Sequence, residues 1–184
     1  MKNIMINILV RKETDKDELL ELIKKCTSEK YNISVNICDY CLKKSAINLE
    51  SLSNASYYEF DYEDMNLHEN KIIELAGDVE YLAFIDIDSS MQLEENFIND
   101  LEIEALEDES IGSVYSDFYS RTKTDRRVHV HQKSFPLVTK TLPLIAFSMR
   151  HYVKNQGNES AKGLMLSSMI SKHIPKALCS ILND

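Results

Sequence analysis

Glycine and proline are scarce in this chain of 184 residues, four and three of them, and tryptophan is absent. Such a composition is not collagen, and no Gly/Ser linker, internal repeat or low-complexity block divides the chain. No apolar run approaches the roughly 18 residues of a membrane span. Met1-Lys2-Asn3-Ile4 leads into no signal-peptide pattern, so the expected setting is cytoplasmic, with no membrane span. Four cysteines supply only one Cys-x-x-Cys pair, Cys38 and Cys41, and no second Cys or His pair at finger spacing follows. A zinc ribbon and a secreted cystine scaffold are therefore excluded. What is present is ordinary: 43% hydrophobic and 28% charged residues, enough in one domain's length to bury a core without disulfide or metal.

Charge is unevenly placed. Residues 1–58 are near neutral, residues 59–109 carry eighteen acids against Lys71 alone, and residues 121–184 carry eleven bases against three acids. An acidic middle repels phosphates, which argues against a nucleic-acid partner. The basic last third can face a small anion such as a diphosphate, or can fold back against the acids.

Ile4–Val10 is β-branched and apolar, the pattern of a buried strand. Thr14, with Asp17 in a box-like position, can cap a helix over 15–27, whose Leu19, Leu22, Ile23 and Cys26 fall on one face. Ile33–Cys38 reads as a second strand ending at Asp39. Strand, helix and strand in forty residues make a βαβ unit and so a parallel sheet. Tyr57–Phe60 is a candidate short strand, and Asn66–Ala76 a helix stopped by Gly77. Tyr81–Ile85 is the expected central strand, running into Asp86-Ile87-Asp88. Ser89 and Gln92 can cap a helix over 92–107 with Leu93, Phe97, Leu101 and Ala105 on one face. Ile111–Tyr119 and Val128–His131 read as strands, residues 161–171 as helical, and His173-Ile174-Pro175 leads into Leu178–Leu182.

In an open parallel sheet, ligands sit beyond the carboxyl ends of the strands. Two strands here end in acids: Asp39 after the second, Asp86 and Asp88 after the central one. Carboxylates two positions apart on a strand share a face and suit Mg²⁺ or Mn²⁺, with phosphates completing the shell. The pattern also fits Asp88 as a plain turn cap. Asp117, near the end of its strand, can reach the same cleft or serve as a buried or capping residue. His129 and His131 share a face, without thiolates in their flanks. Cys38-Asp39-Tyr40-Cys41 follows a strand as redox pairs do, but lacks Gly or Pro between its cysteines, and the first proline is Pro136. Buried thiols are the expectation there.

These residues carry a resemblance. The chain resembles the nucleotide-binding part of a family 2 glycosyltransferase with the GT-A fold. Ile6–Cys26 is similar to that family's first βα unit and Ile33–Asp39 to its second strand. Asn66–Ser90 (NLHENKIIELAGDVEYLAFIDIDSS) resembles the helix, Gly turn and strand entering the Asp-x-Asp motif. Ile111–Tyr119 (IGSVYSDFY) resembles the strand after the next helix, and His173-Ile174-Pro175 the segment closing the core. The resemblance implies a three-layer α/β/α sandwich with a mostly parallel sheet. It implies a single domain over 1–184, with residues 1–110 binding nucleotide and 111–184 completing a core whose acceptor side is truncated. It gives Asp39 the base, Asp86 the ribose or metal, and Asp88 a divalent cation, Mn²⁺ or Mg²⁺, on the diphosphate of a nucleotide-sugar donor. Arg11, just past the first strand, is placed beside the nucleotide.

The departures bear on activity. The family's Glu-Asp pair, which deprotonates the acceptor, has no counterpart in Glu159-Ser160-Ala161-Lys162-Gly163, where Glu159 is the only nearby carboxylate. Leu142–Phe147 replaces the usual polar, Gly-containing acceptor loop. The two readings are a small inverting glycosyltransferase with an unknown acceptor, and an inactive GT-A-like module that binds a protein partner, another copy, or a larger particle.

Overall fold

β-Branched side chains at every second position, Ile4, Ile6, Ile8 and Val10, open the chain as β1 (Lys2–Val10), and Asp15 then starts α1 (Lys16–Lys25). The structure is a computed structural model that describes residues 1–10, 14–40, 55–60, 65–87, 91–131, 144–149 and 170–182, with only the backbone path for 65–70 and 170. The helix cap is Asp15 rather than Thr14: its Oδ1 accepts from the amides of Asp17 (2.8 Å) and Glu18 (3.4 Å). Asp17 and Glu18 in the first turn and Lys24 and Lys25 in the last complement the helix dipole. The chain continues through β2 (Tyr31–Asp39), β3 (Ala55–Glu59), α2 (Met65–Ala76) and β4 (Tyr81–Ile87). Gly77 ends α2 with φ of +52°, the left-handed conformation that glycine takes without a Cβ penalty.

After β4 come β5 (Met91–Leu93), a short α3 (Phe97–Asp100), a 3-10 turn over Ile103–Glu107, β6 (Ile111–Arg121), β7 (Arg127–Val130), β8 (Leu144–Ser148) and β9 (Ile170–Leu182). The nine strands among the described residues join one sheet in the order β3-β2-β1-β4-β8-β6-β9-β5, with β7 added on β6. β1, β2, β3 and β4 run parallel. β8 then enters antiparallel to both β4 and β6, β9 runs parallel to β6, and β5 and β7 pair antiparallel. The sheet is therefore mixed, not mostly parallel. Helical crossovers through α1 and α2 impose parallel pairing on β1 to β4. The pattern of a buried strand such as Leu144–Ser148 carries no direction.

Paired strands present alternate residues to two apolar layers. Ile4, Ile6, Ile8 and Val10 of β1 join Ala83, Ile85 and Ile87 of β4 and Leu19, Leu22 and Ile23 of α1 on one face. Met5 and Leu82 point the other way, onto Ile72 and Ala76 of α2 with Tyr115, Ile145 and Phe147. Both faces of the sheet thus carry helix side chains.

The expected helix over 92–107 does not form as one element. Asn96 (φ 57°) and Glu102 (φ 52°) are left-handed and break it into α3 and the 3-10 turn. The reason lies in the residues between the four-spaced apolar set: Ile98, Ile103 and Leu106 are buried along with Phe97 and Leu101. One straight helix cannot turn all of them inward. Residues 170 and 171, expected at the end of a helix, begin β9. The rest of the stretch 161–169 lies outside the described residues.

Glu102 offers a direct test of this break. Its carboxylate pairs with Lys172 Nζ at 2.5 Å, and both Glu102→Gly and Glu102→Ala remove that pair. Glycine alone accepts the left-handed backbone, so Glu102→Gly is expected to be more stable than Glu102→Ala by about 1 kcal/mol in thermal melts. Equal stabilities would deny a left-handed residue 102.

Candidate functional site

The register of three strands sets the site. Phe84 of β4 pairs with Ile145 of β8, and Ile145 pairs with Tyr115 of β6. Two residues further along two strands of the same direction stand Asp86 and Asp117. They occupy the same level and the same face, two strand spacings or about 10 Å apart. Asp86 is half-buried and Asp117 fully buried.

Asp117 lies where one edge of β6 changes partner. Residues 113–115 pair with β8, and residues 118–121 pair with β7. The β6–β7 hairpin, closed by the amide of Thr122 donating to the Arg126 carbonyl at 3.1 Å, sets Tyr119 opposite His129. Period-two alternation then brings Asp117 and His131 onto that face as well. The result is a buried carboxylate among three imidazoles. Asp117 Oδ2 lies 2.9 Å from His131 Nδ1 and 3.1 Å from His129 Nε2, while Oδ1 lies 2.7 Å from His173 Nε2. His129 and His131 have ring centroids 4.1 Å apart, and His173 stacks on Tyr115 at 5.3 Å. His173 pairs with Tyr115 and so stands diagonally across from Asp117 on the same face; beyond it β9 bulges past Pro175, where Ser116 pairs with Ile174 but Asp117 with Ala177. One ligand atom each from Asp117, His129 and His131 fall within 4.8 Å of one another, so these residues can hold a metal ion.

The other sequence-derived residues divide. Asp39 ends β2, buried, with the Tyr57 hydroxyl donating to its Oδ2 at 2.6 Å. It pairs with Val10, which pairs with Ile87, so it lies on the face opposite Asp86. A ligand that met both would have to straddle the carboxyl-end edge of the sheet. Arg11, Asp88 and Glu159 lie outside the described residues. So does Cys41, but Cys38 is fully buried and burial pushes its thiol up to about 12, which leaves no reactive thiolate near neutrality. Leu144–Phe147 of the apolar stretch is buried in β8, an interior strand and not an exposed patch, while Leu142 and Pro143 lie outside the described residues.

Sequence reasoning singled out Asp117 and the His129/His131 pair separately without joining them. The signal was available: period-two residues on two strands joined by a short turn, at a spacing that a hairpin closes. His173 had no such signal, because it meets Asp117 only through the pairing of β6 with β9, far apart in the sequence.

A groove of about 440 Å³ between α1 and β5 is lined by Asp17, Glu18, Glu21 and Lys25. Three carboxylates against one ammonium repel a diphosphate, so it is a poor donor site. Among the described residues no helix is long and apolar enough to cross a membrane.

No protein-family model matches the chain, and no curated protein matches it in sequence. By structure it is similar to Staphylococcus aureus TarS 1–349 in complex with UDP-GlcNAc, with a TM-score of 0.66 and 15% identity over 100% of this chain and 59% of that one. A second structure of TarS 1–349 gives 0.62 and 16% over 99% and 60%. The 4-diphosphocytidyl-2C-methyl-D-erythritol synthase of Anaerococcus prevotii gives 0.57 and 13% over 95% and 87%. At 13–16% identity the likeness is one of fold, an α/β fold shared with TarS 1–349 and with the erythritol synthase. The chain spans about three-fifths of the TarS segment that it matches.

Proposed function

We propose that this chain is a glycosyltransferase of the family 2 type that takes a nucleotide-diphosphate sugar and a divalent cation, Mn²⁺ or Mg²⁺. The observation that carries the reading is Asp86 at the carboxyl end of the central parallel strands, in a chain whose whole length is similar in fold to 59% of TarS 1–349 in complex with UDP-GlcNAc. In this reading residues 1–110 hold the donor and residues 111–184 complete a single domain. Asp39 meets the base and Asp86 the ribose or the cation. Asp88 ligates the cation, and Arg11 lies beside the nucleotide. Hard carboxylate oxygens at the end of β4 fit such an ion. The cation supplies charge neutralisation as the nucleoside diphosphate leaves. Glu159 is the candidate base toward an acceptor yet to be identified, and the protein is expected to work in the cytoplasm. The rival assembly role loses one support, since the stretch offered as its interface is largely the buried strand β8.

Calorimetric titration with UDP and GDP, with and without Mn²⁺, tests the reading. Wild type and a His129→Ala/His131→Ala variant are both expected to bind one of the two in a Mn²⁺-dependent manner. Asp86→Ala and Asp88→Ala are expected to lose at least tenfold in affinity. Absence of nucleotide binding with Mn²⁺ present would overturn the proposal.

A further inference from the structure

We infer that Asp117, His129 and His131 form a site for a first-row transition-metal dication of the zinc type, separate from any cation at Asp86 and Asp88. The inference does not rest on the donor reading. Three ligands bonded to one such ion at about 2.0–2.2 Å stand roughly 3.0–3.4 Å from one another in tetrahedral or octahedral geometry. The carboxylate oxygen already lies 2.9 and 3.1 Å from the two ring nitrogens, and all three ligand atoms lie within 4.8 Å of one another, so two of the three separations already match those around a bound ion. Two imidazoles and one carboxylate favour Zn²⁺, Fe²⁺ or Co²⁺ over Mg²⁺, which prefers oxygen alone and keeps its waters.

Access and support agree with this assignment. The His129 and His131 side chains are 32% and 51% exposed while Asp117 is 0% exposed, so an ion can arrive from solvent onto an anchored carboxylate. The outer oxygen, Oδ1, is held by His173 Nε2 at 2.7 Å. That contact holds the carboxylate plane, the role outer partners play around metal ligands. Three protein ligands leave at least one position for water or another small ligand.

The test uses the full chain in a Cys41→Ser background, so that this thiol does not compete for metal. Chelator-treated protein is titrated calorimetrically with Zn²⁺ and with Mg²⁺, and metal retained after gel filtration is measured by mass spectrometry. One equivalent of Zn²⁺ is expected, with no heat from Mg²⁺ at the same concentration, and Co²⁺ should give the visible bands of a low-coordinate site. His129→Ala/His131→Ala, two changes at the surface, is expected to weaken Zn²⁺ binding at least a hundredfold with an unchanged circular dichroism spectrum. His173→Gln is expected to weaken it by about 10–100-fold. Asp86→Ala is expected to leave it unchanged, which separates this outcome from that of the nucleotide experiment. No Zn²⁺ retained by the parent, or equal retention by the double histidine variant, would overturn the assignment.

Discussion

Truncating Phe97 to alanine is expected to destabilise the protein by about 3–5 kcal/mol and to lower its melting temperature by about 6–20 °C. Phe97 is 0% exposed and heads the fully buried side chains by volume. It packs in the cluster that joins α1 to β1 and β4, together with Ile98, Leu101 and Ile103. Removing its ring deletes the transfer free energy of the aromatic atoms and leaves a cavity that the surrounding β-branched side chains cannot fill by rotation. Val128→Ala, at a side chain in a residue 52% exposed, is the control and should change stability by no more than about 0.5 kcal/mol. A Phe97→Ala protein that melts with the wild type would remove the 97–106 segment from the core.

The second large effect concerns thiols. Cys26, Cys38 and Cys179 are buried, and burial pushes each thiol from 9.0 up to about 12. At pH 8 the native protein is expected to give an aromatic disulfide reagent at most one of its four thiols, and all four after denaturation. The same burial sets an alkaline limit. The folded chain holds these thiols neutral while the unfolded chain loses their protons first, so the unfolded chain binds fewer protons above pH 9. Stability is therefore full below about pH 9 and falls as the pH rises toward about 12. Circular dichroism against pH reads the second effect. Three thiols titrating at once in native protein would place those side chains at the surface.

Much of the first hundred residues was legible because local signals and tertiary demand agree there. The β1–α1–β2 unit, α2 with its Gly77 stop and the central strand β4 each have one dominant period and flanking polar residues. The 92–107 segment shows the opposite case. Its four-spaced set is real, but the apolar residues between demand burial on more faces than one helix has, and the backbone turns left-handed at Asn96 and Glu102 to meet that demand. Sheet direction was not legible beyond β4, since β8 reads the same forwards and backwards. Of the candidate site, the acids at the ends of β2 and β4 could be read from position alone. The carboxylate–imidazole cluster was legible only in part: a short hairpin joins Asp117 to His129 and His131, whereas His173 depends on β6 pairing with the distant β9.

The order of the sheet also has a kinetic meaning. In its N-terminal half Lys2 meets Tyr31 across one helix, whereas Tyr81 must find Ser148 and Ile111 must find Ile170. Closing the longer loops costs more chain entropy before any pairing rewards it. The β1–β2 pair is thus suited to nucleate, and β8 and β9 to dock last. Substitutions in β1 or β2 would then act mainly on the refolding rate and those in β9 on the unfolding rate. His173 would join Asp117 and His129 only in the final step, so the contact between Asp117 and His173 reports on fully folded chains and not on their intermediates.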